Sequence, residues 1–237
     1  VRDGSPRDVY AASCQFSDYI RRRITGRSLD ADEGSSEDGG ASIWLAQRQG
    51  RTKDGYDQTE QGLLKMLDVS GKGSFADAFE ELRIIPMSIS YEYEPCGIQK
   101  AIECWRKANF GAYSKAEMED VHSMLSGIMQ YKGRVHITFC EPLNRKELET
   151  AASRDRNDRY RTLGEIIDKK ILDGYYLWDT SRYATEMLAN RKTNPEFEAF
   201  IEKEVSGIPK DCDNKAIRKN LLTIYAAPYL KKSGIKK

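Results

Sequence analysis

The chain lacks several features that would tie it to a large class of function. No stretch of about 18 uncharged apolar residues occurs, so nothing in it reads as a bilayer-spanning helix. Its five cysteines, Cys14, Cys96, Cys104, Cys140 and Cys212, are odd in number and scattered, with no Cys-x-x-Cys pair. That pattern argues against zinc-knuckle and thioredoxin-like chemistry and fits reduced thiols in the cytoplasm. Neither sign of charge dominates: 38 Lys and Arg stand against 37 Asp and Glu. There is then no general field to draw nucleic acid, and none is expected as a partner. Histidine is scarce, with only His122 and His136, and no internal repeat is apparent.

The chain has 237 residues, 39% of them apolar, enough for one large domain or for a domain with a helical extension. Pro6 to about Ile24 reads as a helix, with Val9, Phe16, Ile20 and Ile24 on one face. Arg21, Arg22 and Arg23 close it as a solvated basic end, where cations complement the helix dipole. Ser28 to Ala41, rich in Asp, Glu, Ser and Gly, reads as a loop.

Ile43 to Ala46 reads as a buried strand. Asp57-Gln58-Thr59-Glu60 reads as a capped start to a helix that buries Leu63, Leu64 and Leu67. Ser74 and Asp77 open a second helix with Phe75, Ala78, Phe79 and Leu82 inward, and Ile84 to Tyr91 is a second strand. Ile98 to Lys107 is helical, and Ser114-Lys115-Ala116-Glu117 opens a helix to Met129 with Val121, Leu125 and Ile128 inward. Gly133 to Phe139 is a third strand, and beyond Asn144 the pattern turns helical. Helix and strand alternate along the first part, which predicts an α/β fold: a mostly parallel sheet flanked by helices, with a helical C-terminal extension.

The chemistry concentrates in Ser42 to Gly55, where a strand delivers Gln49, Gly50, Arg51 and Lys53 to the start of a helix. A helix N-terminus offers unbonded N–H groups and a positive dipole end, and Arg adds a two-pronged donor. Together they read as a phosphate site. Further on, Pro86-Met87-Ser88-Ile89-Ser90-Tyr91 is a strand with Pro at its beginning, where Pro is allowed.

These blocks resemble the glycerolipid acyltransferase family, and in particular a bacterial subgroup of it. Gln49-Gly50-Arg51 stands where that family carries Glu-Gly-x-Arg or Gly-Gly-Arg, and Pro86 to Tyr91 where it carries Pro-Val-Ser-Ile-Ser-Tyr. Val1-Arg2 looks like the end of an earlier Val-Lys-Arg block, and the likeness covers roughly Val1 to Leu143. The resemblance implies transfer of a fatty acyl group from acyl-CoA or acyl carrier protein to the hydroxyl of a glycerol phosphate or lysophospholipid. It implies phospholipid biosynthesis, with Arg51, Gly50, Gln49, Lys53 and Arg2 as substrate-binding residues and no metal or cofactor. Residues 1–143 would be the C-terminal part of the acyltransferase domain, and residues 144–237 a mainly helical extension. The location implied is cytoplasmic, with peripheral contact on the inner face of the cell membrane.

The sequence departs from that family in two places. Its His-x-x-x-x-Asp dyad, which would precede these blocks, is absent, and Val1 rather than Met opens the chain. Both features predict a fragment without turnover of its own, and the catalytic residues are unknown. Gln49 also replaces the usual Glu, keeping the shape but not the charge. An alternative is a non-catalytic phosphate- or lipid-binding module derived from such an enzyme.

His136 and Glu141 imitate the dyad's spacing, but five residues along a strand place two side chains on opposite faces, so His136 reads as structural. Arg21 to Arg23 and the Lys231, Lys232, Lys236 and Lys237 tail are the cations expected to meet anionic lipid. Trp44 and Trp178 read as core residues.

Overall fold

In the computed structural model the described residues are 5–26, 40–48, 58–111, 118–156 and 158–234. In chain order their elements are α1 (Pro6–Thr25), α2 (Gln61–Asp68), α3 (Phe75–Glu80), β1 (Met87–Tyr91), α4 (Gly97–Phe110), α5 (Glu119–Met129), β2 (Val135–Phe139), α6 (Arg145–Ala152), α7 (Asp158–Gly174), α8 (Asp179–Leu188), α9 (Pro195–Ser206) and α10 (Asn214–Lys232). Helix accounts for 62% of the described residues and strand for 5%.

This overturns the expected α/β fold with a mostly parallel sheet. The sheet has two strands, β1 and β2, and they run antiparallel. Two helices, α4 and α5, lie between them. An even number of intervening helices brings the chain back to the end of the sheet it left, whereas the single crossover helix of a βαβ unit gives parallel strands. Ile43 to Ala46, the expected first strand, belongs to neither strand of that sheet.

The chain divides into two compact units, each with its own core. The first comprises Val1–Gly50, Gln58–Pro86 and Phe139–Ile171. Its helices begin on local signals that the sequence carries plainly. Ser5 with Asp8, Ser74 with Asp77 and Asn144 with Glu147 each form a reciprocal capping box. Ser74 and Arg145 hold the Asp77 carboxyl well below the usual carboxylate range. The core gathers Ile20, Leu64, Leu67, Phe75, Phe79, Leu148, Leu163 and Ile167.

One member of this unit reverses expectation. Arg21 is only 4% exposed, not part of a solvated helix end. Its Nε donates to Ser70 Oγ at 3.1 Å, Nη1 to Ala78 O and Glu81 Oε2 at 2.7 Å each, and Nη2 to Leu67 O at 2.8 Å. α1 therefore buries Ser17, Ile20 and Arg21, while Val9 and Phe16, expected inward, are exposed.

The second unit comprises Arg51–Asp57, Met87–Thr138 and Leu172–Lys237. α10 is its centre and packs on α8, α4 and α9. Ala101, Ala184, Ala226, Ile217, Leu221, Leu222, Phe197 and Ile201 fill the core. The small alanines let the helices approach closely. Tyr225 is buried beside them, and its hydroxyl accepts the Glu94 N–H at 2.9 Å. Burial pushes the Tyr225 phenol far above its ordinary value.

α5 is oriented against expectation in the same unit. Its start is Glu119, after Met118 in a left-handed conformation, with no side-chain cap; the expected box at Ser114 to Glu117 lies outside the described residues. Val121, Leu125 and Ile128, expected inward, are exposed together with Met124 and Met129. The small face turns inward instead: Cys96 Sγ meets Ser123 O at 3.6 Å and also lies beside Gly127. No helix among the described residues is long and apolar enough to cross a membrane.

Candidate functional site

The predicted phosphate-binding residues Gln49, Gly50, Arg51 and Lys53 lie outside the described residues, as does Arg2. The chain on either side of that turn is described, and all of it belongs to the first unit. Ile43 and Leu45 pack against the core while Ser42, Trp44 and Ala46 face out. This is the period-two alternation of an extended chain. Trp44 falls on the outward set and is 70% exposed, so it is not a core residue. Trp178 is buried, as expected.

The extended segment ends where the turn begins, and a backbone bond closes its base: Glu60 N donates to Gln47 O at 2.9 Å. α2 starts at once, with Glu60 as its cap. Of the capped start expected from Asp57 to Glu60, Asp57 lies outside the described residues. Thr59 turns to Asp168, giving its amide at 2.9 Å and its hydroxyl at 2.6 Å to one carboxylate oxygen. Glu60 makes no side-chain cap bond, and no acidic residue lies in the first turn of α2. Among the described residues, no carboxylate or hydroxyl caps the N–H groups at this helix end.

Arg48, which the sequence reading passed over, stands at the same place. Its Nε is buried and has no hydrogen-bond partner, and its Nη2 lies 4.0 Å from Glu60 Oε1. An unanswered guanidinium N–H beside an uncapped helix start is an arrangement that can accept an anion. The signal was available in the sequence: Arg48 directly precedes Gln49-Gly50-Arg51.

The second sequence block becomes β1, in the other unit. Pro86 is buried just before it. The bonds Glu92 N to Arg134 O and Cys140 N to Pro86 O set the register, which places Ser90 opposite His136 and Ser88 opposite Thr138. Ser88 and Ser90 are buried on one face, and Ser90 Oγ donates to His136 O at 3.4 Å. The other face carries Ile89, Tyr91, Val135 and Ile137, and there the β2 residues are exposed. The sheet is thus polar on its covered face and apolar on its open one.

His136 is exposed on β2. Its ring packs on Tyr176 with centroids 4.9 Å apart, and Nδ1 lies 3.3 Å from Thr138 Oγ1. Glu141 lies beyond the end of the strand and is exposed. His122 is exposed on α5. Arg134 stacks over Trp178 and grips Glu92 through Nη2 at 2.8 Å and Nε at 3.1 Å, holding the Glu92 carboxyl below its ordinary value.

The cations expected to face lipid have other partners in part. Arg21 is buried, Arg22 pairs with Asp18 at 2.7 Å, and Lys232 Nζ donates to Asp173 O and Tyr175 O. Lys236 and Lys237 lie outside the described residues. Among the described residues no group of three or more His, Cys, Asp or Glu is placed to hold a metal ion. No protein family, curated protein or solved structure matches the chain.

Proposed function

We propose that this chain takes part in acyl transfer from a thioester to the hydroxyl of a phosphorylated glycerol or lysophospholipid, and that its share of the work is to hold the acceptor's phosphate. The observation that carries the reading is the start of α2, which has no side-chain cap among the described residues and stands beside the unpartnered Arg48 Nε, with Gln49-Gly50-Arg51 following Arg48 in the sequence. Phosphate would meet the N–H groups at the start of α2 and the unanswered Nε of Arg48; Arg51, whose fork the sequence motif offers, lies outside the described residues. Pro86 to Tyr91 supports the same reading through its likeness to the family's second block.

In such a reaction a base takes the proton of the acceptor hydroxyl, and the oxygen attacks the thioester carbonyl. The C–S bond breaks, and the proton passes from the base to the departing thiolate. No His-x-x-x-x-Asp occurs among the 237 residues, so this stretch supplies binding rather than the base. That same absence favours the second reading, a phosphate- or lipid-binding module without catalysis. Under either reading the protein acts in the cytoplasm at the inner membrane face, where its amphiphilic acceptor resides.

Titrating the chain with glycerol 3-phosphate, with glycerol as the control, tests the shared premise. Binding of the phosphate ester alone is expected. Arg51→Ala should weaken it by about 30- to 1000-fold, the worth of a two-pronged charged contact of roughly 2 to 4 kcal/mol in a partly dry site. Arg51→Lys should recover only part, because an ammonium cannot reproduce the fork. Equal affinity of wild type and Arg51→Ala would remove the turn from the site. Free-thiol release from acyl-CoA in the presence of lysophosphatidic acid separates the two readings: the chain is expected to bind without turning over, and enzyme-proportional release would mean that the base lies within it.

A further inference from the structure

We infer that β2 is the edge through which two copies of this chain associate, by antiparallel pairing of β2 with itself about Ile137. The sheet's register makes the case. Arg134, His136, Thr138 and Cys140 stand opposite β1 residues in hydrogen-bonding positions, so Val135, Ile137 and Phe139 direct their N–H and C=O groups away from β1. Among the described residues no hydrogen bond to another element involves those three backbones. Their side chains are exposed as well, by 46%, 52% and 74%. An open edge lined with Val, Ile and Phe is what soluble proteins avoid or pair. On β1 the corresponding residues Met87, Ile89 and Tyr91 are half-buried, so of the two edges that of β2 is the more exposed.

A second copy fits this edge better than an arbitrary strand because the edge is self-complementary. A two-fold axis at Ile137 sets it opposite its own equivalent and sets Val135 opposite Phe139. In that register every outward-pointing backbone group of the three residues finds a partner, and the apolar side chains share one face. No like charges meet at the ends: in this register Glu141 falls opposite Gly133, between Lys132 and Arg134, while Arg134 keeps its Glu92 partner. Pairing also turns an isolated two-stranded sheet, which is marginal in water, into one of four strands. One strand edge covers less than the roughly 1,200–2,000 Å² of a standard interface, so association should depend on concentration.

Sedimentation of the whole chain over a wide concentration range tests the inference, with amide exchange as a second readout. A monomer–dimer equilibrium is expected. On dilution the amides of Val135, Ile137 and Phe139 should lose protection while those of His136 and Thr138 keep it. Ile137→Lys, at an exposed position, puts like charges opposite each other and should weaken the dimer about tenfold or more. Ile137→Pro removes only an outward-pointing N–H and should do the same while leaving the His136 and Thr138 amides protected. A chain that stays monomeric at the highest concentration, a dimer indifferent to both substitutions, or a dimer whose Val135, Ile137 and Phe139 amides exchange freely would each overturn it. So would a monomer that pellets with vesicles through this face, which would assign the edge to lipid instead.

Discussion

The first unit buries a guanidinium and the second exposes a stripe of Val, Met, Leu and Ile. Read by residue type alone, Arg21 and α5 are both the wrong way round. They differ in how their neighbours treat them. Arg21 enters the interior because four acceptors already stand there, two of them carbonyls near the ends of short helices, Leu67 O and Ala78 O. Ser70 and Glu81 take two more, so four of the five N–H donors are answered and the desolvated charge is paired with a carboxylate. α5 stays turned out: among the described residues its stripe belongs to neither core and packs against neither. Its contact with the fold is made through Ser123 and Gly127. Burial therefore follows the partners available at a position, and residue type only sets the cost of lacking them.

The largest effect should come from breaking the first half of that contrast. Arg21→Ala removes the Arg21 donors to Ala78 O, Glu81 Oε2, Leu67 O and Ser70 Oγ, of which Ser17 still reaches the last two. Removing one side of a buried, bonded charge costs about 3–5 kcal/mol. Urea unfolding should show a midpoint lowered accordingly, and Arg21→Lys should restore only a fraction because an ammonium cannot span four acceptors. A loss within about 0.5 kcal/mol, the range of surface substitutions, would mean that Arg21 is solvated after all.

Tyr225 lies between the extremes, since it is buried in the second unit with its oxygen answered by a single N–H. Burial raises its phenol above the ordinary value of 10.0, so the fold prefers the neutral form. That contribution is complete below pH 10 and is lost as pH rises from there toward the raised value. Tyr225→Phe should cost about 1–3 kcal/mol at neutral pH, because the Glu94 N–H loses its acceptor. Above pH 10 its stability should fall less steeply than the wild type's, though not flatten, because the Tyr93 and Tyr160 phenols are raised as well. Thermal unfolding at pH 7 and pH 11 makes the comparison; parallel losses in both proteins would take Tyr225 out of the alkaline response.

How far the sequence revealed this contrast depends on the range of the forces involved. Capping boxes act over three residues, and the one expected at Ser74 marks a true helix start, as does the box at Ser5, which the sequence reading passed over. α2 and α3 bury the leucines and phenylalanines that periodicity selects. The failures are all non-local. Thr59, just before α2, is held by Asp168, far along the chain. Arg21 looks like one of three solvated arginines until Leu67, Ser70, Ala78 and Glu81 are brought to it. The α5 stripe has the right period for a buried face, and period says nothing about whether a partner exists. Strand candidates were found at Ile84 to Tyr91 and Gly133 to Phe139, but their antiparallel pairing follows from the two helices between them. Of the candidate site, the likeness rests on local motifs and Arg48 stands beside them in the sequence, whereas its unpartnered Nε and the start of α2 at Glu60 emerge only from the three-dimensional arrangement.

The smallest expected effect tests the second half of the contrast. Ile128 is 71% exposed on α5, so its side chain has little apolar area to lose on truncation. Ile128→Ala also replaces a β-branched residue by the best helix former, a change worth a few tenths of a kcal/mol in the helix's favour. The net change in unfolding free energy should stay within about 0.5 kcal/mol, as for an open surface position. Leu222→Ala, in the core face of α10, is the matched control and should cost about 2–5 kcal/mol. Both are read from the same urea titration at low protein concentration. If Ile128→Ala instead approached the control, the stripe would be covered in solution, and α5 would no longer be the counterexample to Arg21. If Ile128→Ala were neutral when dilute but costly when concentrated, the cover would be a second copy, and the stripe would belong to the same association as the edge of β2.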